Sequence, residues 1–518
     1  MTTALASLLL AVTAATPPAA RPSPAPAALP ARPKLVLAVA IDQFRYDYLT
    51  RFRSEYTGGL RRLLDRGAVF TRARFQHFPS VTAIGHSTYL SGALPAMSGI
   101  IGNDWYDRAT GRLVTSVSDP AEKILGGGAG EGASPRRMLV STVGDELKIA
   151  TASKSKVIGL SLKDRSAILP SGHMADLALW YDAQTGRFVS STFYGAALPD
   201  WVIRFDDERK ADAYRGGSWR GGDLPKEAGP ALYGAVYGSP FGNDLLEALA
   251  ERAVEAERLG QRGETDLLTV SFSSNDAVGH DKGPDSPEVR DISVRTDAAL
   301  GRLFSYLDTR IGMGNVLVTL TADHGVAPLP EVAASRRMPG GRMPAGSVRD
   351  AVQAALVQRF GEGQWVVSPS DHSIYIDRKL VAAKKLDLDQ VQDVAKDAVQ
   401  GLPHVLRAYT LHELLSGCAS DDPVGRSLAN SVSAQRTGDL ELLLEPYWMF
   451  AARGTTHGSV FGYDMHVPVI FMGPGIRPGT YRRDITVNDV APTLAEILGV
   501  ESPSGAAGRV LDEVLAVR

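Results

Sequence analysis

An α/β fold with a mostly parallel central sheet and helices on both faces is what this sequence predicts, from two observations about its apolar segments. Four runs, Leu35–Ile41, Leu267–Phe272, Val316–Thr321 and Val467–Met472, are continuous rather than alternating, which suits strands covered on both sides. From Lys34 to about Arg310 such runs alternate with helical patterns, the rhythm of strands joined by crossover helices. A third observation bears on chemistry. The first run ends at Asp42, the second leads to Asp276 and His280, the third to Asp323 and His324, and the fourth follows His457. Open parallel sheets bind ligands outside their strand ends, so these side chains are expected to converge, and a metallo-enzyme is the leading expectation.

Taken from the N-terminus, residues 1–16 contain the apolar stretch Ala4–Ala15 and read as a secretory signal, too short to span a membrane. No Lys or Arg precedes the stretch, a departure from the usual charged start. Residues 17–33 form a Pro/Ala-rich linker, and no Cys lies nearby to carry a lipid anchor. A periplasmic or secreted location is therefore expected. After the strand at Leu35–Ile41, Pro79 and Ser80 suggest a turn before a helix over Ala83–Leu90. Ser286–Asp308 is the clearest helix, with Ile292, Ala299, Leu303 and Leu307 on one face.

From 327 to 453 the character changes. Amphipathic patterns at Val348–Phe360 and Leu388–Val399 are interleaved with short runs at Trp365–Val367, Ser373–Ile376 and Val405–Thr410. That order predicts an α+β cap inserted into a catalytic core of 34–326 and 454–518, the chain returning to parallel strands after Gly454. The whole is 518 residues long, enough for two or three structural units or one elaborated domain. Its formal charge of −3 supplies no basic field for nucleic acid and no polybasic membrane patch. Cys418 is the only cysteine, so no intramolecular disulfide forms.

The candidate ligands fall into two sets. Asp276 and His280 are four residues apart in a polar, Gly-rich segment read as a loop, a spacing that brings a carboxylate and an imidazole to one side of a turn. With His457, between glycines, they make a three-ligand zinc set with an open position. Asp42, Asp323 and His324 remain for a second ion, with the hydroxyl of Thr82 as a fourth ligand. Thr82 by itself reads as a helix cap, but zinc and a helix N-terminus would both favour its alkoxide. Lys163 and Arg165, in extended backbone with Asp164 opposite, would present two cations to a phosphoryl group. Asn103 would donate its amide to another phosphoryl oxygen, though a turn role suits it as well. The other histidines, His77, His86, His173, His372, His404, His412 and His466, read as structural or exposed, with His86 set apart by its closeness to Thr82.

These stretches together resemble the alkaline phosphatase superfamily, in particular its nucleotide pyrophosphatase/phosphodiesterase-like branch. The resemblance rests on Val39–Asp42, Pro79–Thr82, Gly102–Asp104, Asn275–Pro284, Thr321–Gly325 and Thr455–Gly458, and so spans most of the chain. Within that branch, Lys163-Asp164-Arg165 is similar to the motif of phosphate-irrepressible and Sphingomonas-type alkaline phosphatases, which use a threonine nucleophile. The resemblance implies phosphorylation of Thr82 during turnover and two Zn²⁺ per chain, one on Asp276, His280 and His457, the other on Asp42, Asp323, His324 and Thr82. It further implies that Asn103, Lys163 and Arg165 grip the phosphoryl oxygens of small-molecule phosphate monoesters. A phosphodiesterase or nucleotide pyrophosphatase, and an inactive exported zinc- or phosphate-binding protein, are the alternatives. Further ions such as Ca²⁺ and the oligomeric state are left open.

Overall fold

The apolar runs all fall in strands: β1 Leu35–Ile41, β2 Val157–Ser161, β3 Asp266–Phe272, β4 Val316–Thr321 and β5 Val469–Met472. Every residue in them is buried, the reason their sequences lack the polar alternation of a half-exposed sheet. The computed structural model describes residues 32–127, 130–367, 370–418 and 421–516. The signal segment, and the linker apart from Arg32 and Pro33, lie outside them.

The five strands sit side by side in the order β5-β4-β1-β3-β2 within an eleven-stranded sheet. β1 pairs in parallel with β3 and β4, and β3 with β2. Their registers are level: Ala40 lies opposite Thr321, Ile41 opposite Phe272, and Ser271 opposite Ser161. Asp42, Asp323, Lys163 and the residues leading to Asp276 therefore leave the sheet along one lip, where parallel strands expose their ligand-binding ends.

β5 does not run parallel as the sequence predicts. It is antiparallel to β4, with Val469 opposite Thr321. This reversal has a functional consequence. The start of an antiparallel strand lies at the carboxyl end of its parallel neighbour, so the segment before β5, carrying His457, arrives at the same lip. A parallel β5 would have delivered it to the opposite edge of the sheet.

Three helices bring in further side chains, α1 Thr82–Ser91, α2 Asp164–Ile168 and α3 Ser274–Lys282, and α4 Pro287–Arg310 follows α3 and packs against it. α4 matches the strongest periodicity in the sequence and begins with the Ser286 hydroxyl accepting from Val289 N–H. Two expectations are corrected. The Asp276–His280 segment is helical rather than a loop, because Gly279 serves packing and not a turn: a Cβ there would collide with Gln43 Oε1. Lys163 and Arg165 do not share one extended strand, because β2 stops at Ser161 and α2 begins at Asp164.

Residues 327–453 carry a three-stranded antiparallel sheet, Ser373–Ile374, Leu440–Leu444 and Val405–Thr410 in that spatial order. Helices Ser347–Phe360 and Leu388–Gln400 belong with it, and the set shares a cluster of buried side chains that includes Val348, Trp365, Val391 and Leu440. The strand Leu440–Leu444 is absent from the sequence-based expectation, although it is the central one. A second cluster joins Phe78 of the core to Tyr409, Leu414, Leu428 and Leu443, so this region packs directly above the lip.

Candidate active site

At the lip, Asp42, Asp323 and His324 are fully buried and Thr82 nearly so. Val81, in extended backbone, precedes the helix, and Thr82 is the first residue of α1. The Thr82 hydroxyl lies 3.3 Å from His324 Nε2. Asn103 Oδ1 accepts from Ala83 N–H at 2.8 Å, which caps α1 through a neighbouring side chain and turns the Asn103 amide nitrogen into a donor beside Thr82.

The ligating atoms gather in two groups. Asp276, His324 and His457 offer atoms within 4.8 Å of one another, and so do Asp42, His86 and Asp323. Five of the six metal-ligand candidates drawn from Asp and His fall in these groups, with His86 in addition and His280 outside them, and the partition differs from the expected one. His324 stacks on His457 at 3.4 Å between ring centroids, whereas His280 is 5.0 Å from His457. His280 still approaches Asp276, with Nε2 3.2 Å from Oδ1, one helical turn apart. The i, i+4 spacing therefore holds for a helix rather than for a turn.

Three details of hydrogen bonding fit these groups to cations. His280, His324 and His457 each set Nδ1 against a backbone carbonyl, of Thr455, Gly325 and Ser80, at 2.7, 3.0 and 2.8 Å. Donation from Nδ1–H leaves the Nε2 lone pair facing inward, the usual way an imidazole is oriented toward a metal. Asp42 Oδ2 and Asp323 Oδ2 are buried without a hydrogen bond among the described residues. Other polar groups stand against them instead: the Lys163 ammonium is 3.0 Å from the former and the His324 imidazole Nε2 is 3.1 Å from the latter. Buried carboxylate oxygens need such compensation, and the donor set of carboxylates and imidazoles suits zinc.

Lys163 is drawn into the cluster more deeply than a phosphoryl-facing cation would be. Its ammonium lies 2.7 Å from Asp276 and 3.0 Å from Asp42, bridging the two groups. Burial opposes the charged lysine, but these carboxylates raise its pKa well above the ordinary value. Burial likewise opposes ionisation of Asp42, yet Lys163 and then His86 hold it well below the usual carboxylate range, and Lys163 does the same for Asp276. In His324 the penalty of burial is outweighed by Asp323, which raises the ring's pKa. In His457 burial and the neighbouring imidazoles push it far down. Arg165 stays at the edge, its side chain 26% exposed and 3.5 Å from Asp164, with Nε unbonded among the described residues.

With this geometry in view, the type I phosphodiesterase / nucleotide pyrophosphatase family matches residues 36–466. The chain belongs to that family. It falls in the nucleotide pyrophosphatase-like branch of the alkaline phosphatase superfamily, as its relatives also indicate. Alkaline phosphatase PafA of Elizabethkingia meningoseptica is 35% identical, over 93% of this chain and 95% of its own. Alkaline phosphatase PhoV of Synechococcus elongatus is 36% identical, over 94% and 93%. A Myroides odoratus protein named calcium-transporting ATPase is 34% identical, over 93% and 95%. The crystal structure of wild-type PafA matches with a TM-score of 0.88 at 34% identity, covering 94% of this chain and 99% of that one.

Two residues at the heart of this family member are missed by sequence reasoning. His86, expected to be structural, places Nε2 3.0 Å from Asp42 Oδ1 and 3.6 Å from Asp323 Oδ2. Its spacing from Thr82, one turn along α1, is the available signal. Gln43 carries no ligand chemistry that a sequence pattern would flag. Its backbone N–H donates to Asp323 Oδ1 at 3.0 Å and its side-chain amide to Asp276 Oδ1 at 2.7 Å, so one residue orients a carboxylate in each group. To do both it adopts φ +59°, a left-handed conformation that costs energy for a side chain of this kind.

Proposed function

We propose that this chain hydrolyses phosphate monoesters through a phospho-threonine at Thr82, with the two ligand groups each holding one Zn²⁺. The observation that carries the reading is the convergence around the Thr82 hydroxyl of carboxylates and inward-facing imidazoles from four strand ends and one helix turn. Zinc held there would neutralise phosphoryl charge and lower the pKa of a bound hydroxyl. Asp42 and Asp323 would serve the ion beside Thr82 together with that hydroxyl and with His324, whose Nε2 is 3.3 Å from the hydroxyl and 3.1 Å from Asp323; Asp276 and His457 would serve the other, with His280 in the place that His324 leaves.

The chain's own residues supply the rest. Thr82 Oγ1 attacks phosphorus in line with the departing alcohol oxygen, forming the Thr82–phosphoryl bond as the ester P–O bond breaks. Water then attacks from the opposite side, releasing phosphate and restoring the hydroxyl. The α1 N-terminus, to which Thr82 belongs, favours the negative oxygen. Asn103 donates its amide to one phosphoryl oxygen, and the Arg165 guanidinium reaches another as a fork. Lys163 balances Asp42 and Asp276 and contributes positive charge to the phosphoryl site from between them.

A diester presents one negative oxygen fewer, so a site furnished with Lys163 and Arg165 favours the monoester, in keeping with the names of the relatives PafA and PhoV. The family description includes phosphodiesterases, which keeps the diester as the second reading. Comparison of p-nitrophenyl phosphate with its bis-ester on zinc-loaded protein separates them: a large preference for the bis-ester would overturn the first. Metal content together with phosphate release distinguishes either from an inactive binder. As for the calcium-transport name of one relative, among the described residues no helix is long and apolar enough to cross a membrane.

We further propose export to the periplasm or beyond, guided by residues 1–16, and a cap formed by 327–453 over a core of 34–326 and 454–518. Support for the cap comes from the separate buried cluster of that region.

A further inference from the structure

Beside Asn103 and His457 lies a cavity of about 270 Å³. One wall comes from the core through Phe78 and Trp105, and the facing wall from the 370–441 region through Tyr375, Val432 and Glu441. Its volume is just under the roughly 300 Å³ at which pockets for drug-sized ligands begin, so it suits a single ring or a short chain. Asn103 and His457 also border the phosphoryl site, so an ester bound there directs its alcohol side into this space.

The charge of the walls is one-sided. Among the described residues lining the cavity there is no Lys or Arg, while Asp104 and Glu441 are both acidic. Glu441 is buried, and it accepts from Ser373 Oγ at 2.5 Å and from Gly438 N–H at 3.2 Å. A leaving group with a negative charge of its own would lose its water here and face Asp104 and Glu441, while the guanidinium groups of Arg108, Arg137 and Arg436 stand behind the rings of Tyr375 and Trp105 rather than in the lining. An uncharged ring would bury apolar surface against Phe78, Trp105 and Tyr375 and lose nothing.

We infer that this cavity receives the alcohol side of the substrate and selects monoesters of compact, uncharged, ring-bearing alcohols over those whose leaving group carries a further negative charge. The assignment rests on the monoesterase reading above and narrows its substrate class. Specificity would then come from the 370–441 region, while the phosphoryl chemistry stays with the core.

The test uses full-length, zinc-loaded protein with phenyl phosphate, 4-carboxyphenyl phosphate and methyl phosphate, and inorganic phosphate as a competitive inhibitor. Wild type should turn over phenyl phosphate with a kcat/KM about tenfold above that for the carboxylated ester, although the latter has the better leaving group. Val432→Trp, which fills the cavity, should lower kcat/KM for phenyl phosphate about tenfold while changing that for methyl phosphate, and inhibition by phosphate, less than about twofold. Glu441→Gln should narrow the gap between the carboxylated and plain phenyl esters. Equal wild-type rates on those two esters, or equal losses of phenyl and methyl phosphate turnover in Val432→Trp with phosphate inhibition intact, would overturn the assignment. Absence of turnover on all three esters in wild type would instead overturn the monoesterase reading itself.

Discussion

The two ligand groups at the lip are built on different principles. Asp42, His86 and Asp323 are at most 1% exposed and hang from two adjacent parallel strands and the first turns of α1. Around Asp276 the ligands come from one helix, which carries Asp276 and His280, and from the segment ahead of an antiparallel strand, which carries His457, and the His280 side chain is 36% exposed. Strand register fixes the first group directly, whereas the second depends on hydrogen bonds from each imidazole to a carbonyl of some other segment. A buried group held by a sheet should bind its ion more tightly and exchange it more slowly than a group open on one side. Thr82, Lys163 and Gln43 stand between the two and couple them.

The largest effect should come from the atom both groups serve. Thr82→Ala is expected to lower kcat by about 10⁴-fold or more, as removal of a nucleophile does elsewhere, with the metal content of the purified protein unchanged. Near-normal turnover in that variant would remove Thr82 from the nucleophile role.

Next in size is the cation between the groups. Lys163→Met leaves Asp42 and Asp276 uncompensated, both being buried, and should destabilise the metal-free protein by about 3–5 kcal/mol, the cost of breaking a buried pair. Zinc would restore part of that loss, so urea unfolding with and without metal is the measurement. An equal loss in both conditions would mean that Lys163 acts on the fold independently of the ligand groups.

The contrast itself is sharpened by His280→Ala and His86→Ala. The first should weaken one ion by about 10–100-fold and spare the other, and the second should do the reverse. Metal titration with a competing chelator reads both. Simultaneous weakening of both ions in either variant would show that the groups are not separable.

Gln43→Ala should have the smallest effect, about tenfold on the affinity of each ion, because Asp276 and Asp323 lose one orienting bond apiece while relief of the left-handed backbone does not occur with alanine. Loss of affinity for one ion only would limit Gln43 to the carboxylate on that side.

Much of the site was legible because the metal-binding chemistry of Asp and His, and their positions after apolar runs, are local properties. β1 and β4 have the same bounds in the sequence pattern as in the structure, and α4 differs from its pattern by a residue or two at each end. The helical state of Asp276–His280 was not legible, since Asn275 and Gly279 look like turn residues until Gly279 is seen against Gln43. Lys163 looked free because nothing nearby in sequence announces Asp42 or Asp276 as its partners. The strand Leu440–Leu444 is hidden among less regular neighbours, its strand identity resting on pairing with segments on both sides.

Composition and periodicity by themselves determined that this chain forms a buried, mostly parallel sheet, with Asp and His side chains following its apolar runs. Tertiary structure decided the reversed direction of β5, the grouping of His324 with His457, the place of Lys163 between the ligand groups and the parts played by Gln43 and His86. The division has a physical cause. Side-chain chemistry and burial rhythm are written within a few residues, whereas a ligand's neighbours depend on contacts between distant ones: Gln43 and Asp323, bonded to each other, are 280 positions apart.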